Sequence, residues 1–258
     1  MKLNIDARLS YSYDRPTSVL MQIELARMAG QTILSDSLST TPVEDFRRIP
    51  AEGALGTRAW LGAEGQLDVT YEAEVEVTRP DLELSGLRPT PVRELGPEAT
   101  SYLMPSRYCP SDSFDGVLLD EYEGLSGGAL IVAVRDWINR SFIYDGAAST
   151  TTTTARDSFF ARRGVCRDYA HVLIAFARAS GIPARIVSCY APGVEPPDFH
   201  AVAEVWLEES WHLVDATGMA KPSEIAVIGV GRDAAEVSFL SSFGMAQFIS
   251  QKVTVTKA

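Results

Sequence analysis

Cys166 stands where the sequence predicts the first residue of a helix, directly after Gly164 and Val165. The N–H groups at a helix start have no backbone partner and the helix dipole is positive there, so an anion is stabilised. The anionic thiolate is the nucleophilic form of cysteine, which makes Cys166 a candidate nucleophile. The alternative is that Cys166 is a small buried residue, because free cysteine is among the most buried residue types.

A histidine and an aspartate stand at matching ends of two predicted strands. His200 opens the alternating segment 200–207 and Asp215 closes the segment 211–215, with only the turn 208–210 between them. Adjacent antiparallel strands lie about 4.7–4.9 Å apart, so the start of one faces the end of the other. We expect the two side chains to be neighbours, an arrangement in which a carboxylate holds an imidazole in one tautomer. Eight residues precede the turn and five follow it, so the register stays open.

Four segments in order resemble the core of the transglutaminase-like superfamily of cysteine enzymes. They are GVCRDYA at 164–170, GIPAR at 181–185, HA at 200–201 with EV at 204–205, and Trp211 leading into VDAT at 214–217. Two flanking segments, LMPSRY at 103–108 and GRDAAEV at 231–237, are similar to a bacterial subfamily described as cysteine proteases, whose members carry an N-terminal β domain. The resemblance covers most of the chain.

The resemblance implies a papain-like α+β core with a triad of Cys166, His200 and Asp215. The thiolate attacks a carboxamide or peptide carbonyl to form a thioester, the histidine protonates the departing amine, and the aspartate orients the imidazole. Water as acceptor gives hydrolysis, and an amine gives transamidation. We expect a thiol-dependent amide hydrolase or peptidase acting on a protein or peptide. The alternatives are a transamidating protein crosslinker and a non-catalytic protein-binding scaffold.

The oxyanion formed in such a reaction needs hydrogen-bond donors. One is expected to be the backbone N–H of Cys166. Some members of the family use an aromatic or amide side chain upstream of the nucleophile as the second donor, and Trp137, Asn139 and Tyr144 are the candidates here. Trp137 lies on the apolar stripe of its predicted helix and is expected in the core. The tryptophan that the family often has two residues after the histidine is Val202 here.

The remaining polar residues near these motifs have simpler interpretations. Arg167 and Asp168 either bind substrate or, for the acidic residue, stabilise the first helical turn through the dipole. His171 and His212 are expected to be surface or packing residues. The three cysteines and three histidines lack paired ligand spacing such as C-x-x-C, so we predict no metal site and no cofactor.

Helical periodicity surrounds the candidate nucleophile. Ser126 can cap a helix that contains Leu130, Val134 and Trp137 on one face, and a short helix is predicted over 156–163. The helix of Cys166 is expected to end before Gly181 and Pro183 because these residues terminate helices. Alternating segments then predict strands over 184–190, 200–207 and 211–215.

The first eighty residues alternate between apolar and polar types, which indicates an antiparallel sheet with one solvated face. The clearest strand spans 67–77, and the glycines at 62–65 predict a hairpin turn from 59–61. A last strand is predicted over 248–256. The pattern breaks between Arg79 and Pro110, where six prolines stand.

These patterns predict an α+β protein with two domains. An N-terminal antiparallel β-sandwich-like domain would cover residues 1–97, and a papain-like, transglutaminase-like core with C-terminal strands would cover residues 98–258. The boundary is placed in the proline-rich segment because each proline removes a backbone donor and restricts the residue before it.

Composition limits the partners and the compartment. The 258 residues include 34 acidic and 23 basic side chains, a net charge of -11 that disfavours binding to nucleic acid or an anionic membrane. We expect neither partner, and the composition does not indicate an oligomeric state. Three cysteines do not make a disulfide framework, and the chain has neither a signal-peptide pattern at its start nor an apolar run of membrane-spanning length. A cytoplasmic location is therefore predicted.

Overall fold

The computed structural model describes residues 1–114, 116 and 121–258. Its strands are β1 (Lys2–Met21), β2 (Gln31–Thr40), β3 (Glu44–Pro50), β4 (Thr57–Val77), β5 (Ile143–Tyr144), β6 (Arg163–Gly164), β7 (Ala184–Tyr190), β8 (His200–Leu207), β9 (Ser210–Val214), β10 (Ala226–Gly231), β11 (Leu240–Ser242) and β12 (Gln247–Lys257). Its α-helices are α1 (Pro97–Thr100), α2 (Gly127–Ser141), α3 (Ala155–Ala161) and α4 (Cys166–Ala179). The fold is α+β, as the sequence predicted.

The N-terminal part of the chain forms an antiparallel sheet around two long strands, β1 and β4. The strand order is β11-β1-β4-β2, with β12 also paired to β1 and β3 to β4. Alternate residues of β1 are buried, among them Leu3, Ile5, Ala7 and Leu9. A period of two puts these side chains on one face of the sheet, so the predicted apolar alternation does mark the core face.

The hairpin predicted at 62–65 is wrong, because β4 runs through this segment without a turn. Gly65 pairs with Tyr13, and the next pair along the strands joins Thr17 to Ala63. Between these two pairs, three residues of β1 (14–16) oppose one residue of β4 (Glu64), which is a bulge in the ladder. Gly65 has a φ of +69°, a conformation that glycine adopts without strain. A glycine cluster thus marks a strand irregularity here and not a chain reversal.

The C-terminal end of the chain completes the N-terminal sheet. The strand predicted over 248–256 is present as β12, which pairs antiparallel with β1 from Leu3 opposite Lys257 onward. β11 pairs with the other end of β1, around Leu20. Both ends of the chain therefore lie in one sheet.

The second half of the chain forms a four-stranded antiparallel sheet with the order β10-β7-β8-β9. Helix α4 packs on β7 and β8 and carries the buried residues Val172, Leu173, Ile174 and Phe176. Helices α2 and α3 pack against α4 in turn. None of the helices in the described part of the chain is long and apolar enough to cross a membrane.

Two predicted helix starts are present, with different capping. Helix α2 follows Ser126 as predicted, but the serine side chain makes no capping hydrogen bond. The backbone N–H of Gly128 instead donates to the carbonyl of Leu87 at 2.9 Å. The short helix predicted over 156–163 is α3, whose start is closed by reciprocal hydrogen bonds between Thr154 and Asp157.

Polar and close backbone contacts join the two sheets. The side chain of Gln31 donates to the carbonyls of Ala26 and Val227 and accepts from the N–H of Val227 at 2.7 Å. At Gly56 an added Cβ would lie 2.2 Å from the carbonyl oxygen of Ile228 in β10. The sheets therefore approach too closely at this point for a larger residue.

Candidate active site

Cys166 is the first residue of α4 and is partly exposed. Val165 before it has extended backbone, with φ −105° and ψ −179°, and its N–H donates to the Asp168 carboxylate at 2.8 Å. Asp168 is completely buried beneath this turn. Of the two roles considered for Asp168, the contacts are those of a residue that stabilises the helix start. A Cβ at Gly164 would lie 2.5 Å from that carboxylate, so only glycine fits there.

His200 and Asp215 are joined by a hydrogen bond of 2.9 Å between Nε2 and Oδ2. His200 is the first residue of β8, and Asp215 directly follows the end of β9. The strand register pairs Ala203 with Val214, which brings both residues to the same end of the sheet. The contact expected from strand pairing is therefore present, and both residues are buried.

The Asp215 carboxylate is held on both oxygens. Oδ1 accepts from the N–H and the hydroxyl of Thr217 at 2.8 and 2.7 Å, and Oδ2 accepts from the N–H of Ala220 at 2.9 Å as well as from His200. Burial raises the pKa of Asp215, but the hydrogen bonds from His200 and Thr217 outweigh it and the pKa is lowered. The carboxylate is therefore ionised at neutral pH.

The imidazole of His200 lies between this carboxylate and Cys166. Burial lowers its pKa, but the hydrogen bond with Asp215 and the interaction with the Cys166 thiol outweigh burial and raise the pKa to about 10. Nδ1 is buried and makes no other hydrogen bond within the described residues. This nitrogen is the one that Asp215 does not engage.

Of the three candidates for the second oxyanion donor, two make contacts outside the site. Trp137 packs with Phe159 and Phe176 in the core, with ring centroids 5.6 and 6.0 Å apart. Asn139 donates to the carbonyl of Thr217 at 2.8 Å. Trp137 therefore packs against the core but stays partly exposed, and Asn139 supports the loop that follows Asp215.

Tyr144, the third candidate, borders the nucleophile. Burial raises the pKa of its hydroxyl well above the usual value, and the charge interaction with Cys166 raises the pKa further, against the opposing hydrogen bond from the Cys166 N–H. A neutral phenol is a hydrogen-bond donor. Tyr144 therefore places a donor beside the thiol and backbone N–H of Cys166.

A cavity of about 830 Å³ opens over these residues. Its lining includes Tyr144, Cys166, Arg167, Asp198, Phe199, His200 and Phe239. Arg167 donates to the hydroxyl of Ser149 at 2.5 Å and to the carbonyl of Thr150 at 2.8 Å, so its guanidinium holds a wall of the cavity. The volume is in the usual range for pockets that bind small molecules or side chains.

A buried polar cluster behind α4 was missed from the sequence. His171 is completely buried, stacks on Tyr108 with ring centroids 5.4 Å apart, and accepts from the N–H of Ala234 at 3.1 Å. Asp233 accepts from the N–H of Tyr108 at 2.8 Å. Burial lowers the pKa of His171 to about 3, so it is a neutral acceptor with a packing role. The cluster ties the flanking segments 103–108 and 231–237 together, and their resemblance to the bacterial subfamily was the available signal.

The other two cysteines lie away from solvent. Cys109 and Cys189 are both completely buried, and burial raises the pKa of each thiol, to about 12 for Cys109. Cys189 donates to the carbonyl of His200 at 3.6 Å. Cys166 is therefore the accessible thiol of the three. Across residues 1–114, 116 and 121–258, no group of three or more His, Cys, Asp or Glu side chains is placed to hold a metal ion.

Comparison with known proteins finds similarity in the region that holds the candidate site. The model of the transglutaminase-like superfamily matches residues 124–216, a segment that contains Cys166, His200 and Asp215. The crystal structure of a candidate cysteine protease from Cytophaga hutchinsonii is 31% identical, with a TM-score of 0.90, and the match covers 99% of this chain and 90% of that one. The similarity therefore extends over the whole described fold.

Two curated relatives each match about two fifths of this chain. An uncharacterised protein of Mycobacterium tuberculosis is 32% identical over 126 residues, which are 42% of this chain and 40% of that protein. A protein-glutamine gamma-glutamyltransferase of Pseudomonas aeruginosa is 33% identical over 111 residues, which are 38% of this chain and 17% of that protein. The chain thus spans about two fifths of the mycobacterial relative and a smaller part of the transferase.

Proposed function

Because this chain belongs to the transglutaminase-like superfamily of thiol enzymes, we propose that it is an amide hydrolase or peptidase with Cys166 as nucleophile, His200 as acid and base, and Asp215 as the orienting carboxylate. The observation that carries the proposal is the buried His200–Asp215 hydrogen bond of 2.9 Å beside an accessible cysteine at a helix start. The cavity over these residues is the proposed substrate site.

The first half of the reaction is acylation. The thiolate of Cys166 attacks the carbonyl carbon of the substrate, and the C=O electron pair moves onto oxygen. The N–H of Cys166 and the hydroxyl of Tyr144 stabilise this oxyanion. When the tetrahedral intermediate collapses, the C–N bond breaks and the imidazolium of His200 gives its proton to the departing amine, leaving a thioester.

The second half is hydrolysis of that thioester. The neutral imidazole of His200 takes a proton from water as the water oxygen attacks the thioester carbonyl. Collapse releases a carboxylic acid and returns the thiolate and imidazolium. Throughout both halves Asp215 keeps the imidazole in place and stabilises its charged form, because its own oxygens are held by Thr217 and Ala220.

Transfer to an amine instead of water is the second candidate. The similarity of 111 residues to a protein-glutamine gamma-glutamyltransferase favours it. Hydrolysis is preferred because the relative that matches almost the whole chain is described as a cysteine protease. A non-catalytic scaffold is the weakest candidate, since binding alone does not require a buried histidine–aspartate pair beside a cysteine.

The proposed substrate is a protein or peptide, and the proposed reaction needs no cofactor. The cytoplasmic location stays a prediction. Fractionation of cells followed by detection of the full-length chain would test it.

Product analysis tests the proposed activity. The protein is incubated with a glutamine-containing peptide library, with and without a primary amine, and the products are identified by mass spectrometry. Hydrolysis predicts cleaved peptides or free carboxylates even in the presence of the amine, whereas transamidation of glutamine predicts products whose mass rises by that of the amine less the released ammonia. Cys166→Ala leaves only a small change in volume and is expected to remove all turnover without unfolding the protein. Undiminished turnover by this variant would refute the proposed nucleophile.

A further inference from the structure

Asp198 lies on the wall of the same cavity, two residues before His200. One oxygen, Oδ1, accepts from the N–H of Phe199 at 2.7 Å and from the side chain of Gln251 in β12. The second oxygen, Oδ2, makes no hydrogen bond to any described residue. The carboxylate is thus fixed in orientation through one oxygen, and the other has no hydrogen-bond partner among the described residues.

No basic side chain of the described residues neutralises Asp198. The other acidic residue on the wall, Asp145, lies 3.4 Å from Arg163. Arg167 is held by Ser149 and Thr150 and lies 3.6 Å from the buried Asp168. Among the described side chains, none of the ion pairs involves Asp198. The wall therefore carries a carboxyl group, that of Asp198, which forms no ion pair with a described basic side chain.

The electrostatics of Asp198 agree with this arrangement. Burial raises its pKa, and the hydrogen bonds from Phe199 and Gln251 oppose that effect only in part. A cation from outside the protein would compensate the burial of this carboxylate.

Aromatic walls stand next to the carboxylate. Phe199 and Phe239 are stacked, with ring centroids 4.7 Å apart and an interplanar angle of 7°, and both line the cavity. Apolar walls accommodate the methylene stem of a long side chain, while a carboxylate binds its charged end. Lysine and arginine have both features, and their charged groups are also attracted to aromatic faces.

We propose that the substrate carries a lysine or arginine side chain near the reacting amide and that Asp198 selects for it. The inference rests on the proposed function, since it takes the cavity as the substrate site. The recognised cation is not the acceptor amine, because an amine must be neutral to attack a thioester and a carboxylate stabilises its protonated form. Asp198 is therefore a specificity-determining residue of the acyl donor.

Matched electrophilic peptides test this selection without requiring amide cleavage. Each pair carries lysine or norleucine, which has a similar stem without the ammonium group, at one, two or three residues from a thiol-reactive group. The second-order rate of Cys166 alkylation is followed by intact-mass spectrometry. We expect the lysine reagent to react about 10- to 100-fold faster in at least one position, the range of a charge-assisted hydrogen bond.

Asp198→Asn keeps an acceptor oxygen for Phe199 and removes the charge. This variant is expected to lower the lysine-to-norleucine rate ratio to about 1 to 3, whereas local structural damage would slow both reagents alike. Glu195→Gln is the matched control, because it removes one charge from an exposed residue three positions away. It is expected to keep the ratio of the unmodified protein.

Equal rates with lysine and norleucine at every position would overturn the proposal, and so would an unchanged ratio in Asp198→Asn. Failure of the proposed function has a different signature. In that case no peptide is turned over by the unmodified protein, while the preference in Cys166 alkylation and its loss in Asp198→Asn remain measurable.

Discussion

At His200, burial is the largest single effect on the imidazole pKa and lowers it, but the hydrogen bonds and charge interactions with Asp215 and Cys166 together raise the pKa by more. The raised pKa of about 10 keeps the ring protonated at neutral pH, next to a carboxylate whose pKa is lowered. An imidazolium facing a cysteine favours the thiolate by charge. In the proposed mechanism the same imidazolium is the acid for the departing amine, so one protonation state would serve both steps of acylation.

Replacing Asp215 by asparagine is expected to keep the fold but slow acylation by about 10²- to 10³-fold. An amide can favour the wrong imidazole tautomer, and the corresponding change in a serine triad costs about 10⁴-fold in turnover. The expected loss is smaller here because a thiol ionises more readily than a serine hydroxyl, so its attack depends less on the base. His200→Ala is expected to cost at least as much. Single-turnover kinetics with a peptide amide provide the measurement.

His212→Ala is the control for these variants. His212 lies on β9, where its Nε2 is 3.1 Å from the carbonyl of Leu207, and it is expected to be nearly silent. His171 looked equally suitable from the sequence, but its burial and its contacts with Tyr108 and Ala234 make loss of stability the expected result of His171→Ala. Activity that survives His200→Ala but is lost in His212→Ala would show that the histidine is misassigned.

Tyr144→Phe is expected to reduce amide turnover by about 10²-fold, because it removes one of two oxyanion donors. Alkylation of Cys166 by iodoacetamide forms no oxyanion, so its rate is expected to change little. The comparison of the two rates separates stabilisation of the oxyanion from activation of the thiol. A parallel fall in both rates would contradict the assigned role.

Among the secondary-structure elements, local patterns predicted more than glycine positions did. The start of α2 was predicted from a capping residue and helical spacing, and α3 and α4 begin within one residue of their predicted starts. The strand pair of His200 and Asp215 followed from a short turn. The glycines at 62–65 were misread because bulges and turns both require glycine. Tyr144 reaches the site because β5 pairs with β6, opposite Gly164. The spacing of residues along the sequence does not predict this pairing.

The helix start that presents Cys166 has a stability of its own to test. Asp168→Ala removes the acceptor of the Val165 N–H from a buried site, and we expect it to lower the free energy of unfolding by about 1–3 kcal/mol. Asp157→Ala breaks the exposed cap of α3 and is expected to cost about 0.5–1 kcal/mol. Urea denaturation of both variants measures the difference. A cost for Asp168→Ala no larger than that for Asp157→Ala would contradict the buried capping role.

At the scale of the whole molecule, the two ends of the chain are held in one sheet by β1 and β12. The predicted boundary between residues 97 and 98 therefore assigns β1 and β12 to different domains, although the two strands are paired. Gln251 of β12 also reaches Asp198 on the cavity wall. This contact links the N-terminal sheet to the candidate site, a connection that the linear order of the sequence does not indicate.

Limited proteolysis tests the predicted boundary. The first cut is expected between Arg79 and Pro97, where most side chains are exposed. Because β12 remains paired with β1, the nicked fragments are expected to elute together in size-exclusion chromatography and to separate only in denaturant. First cleavage within 164–190, or fragments that separate without denaturant, would contradict this account.

The acyl-enzyme is the species that tests the central claim most directly. The protein is mixed with an activated peptide ester, quenched in acid within the first turnover, and analysed by intact-mass spectrometry and peptide mapping. The account predicts one acyl group per chain, attached to Cys166 and absent from Cys166→Ala. An acyl group on Cys109 or Cys189, or consumption of the ester by Cys166→Ala at the rate of the unmodified protein, would contradict it.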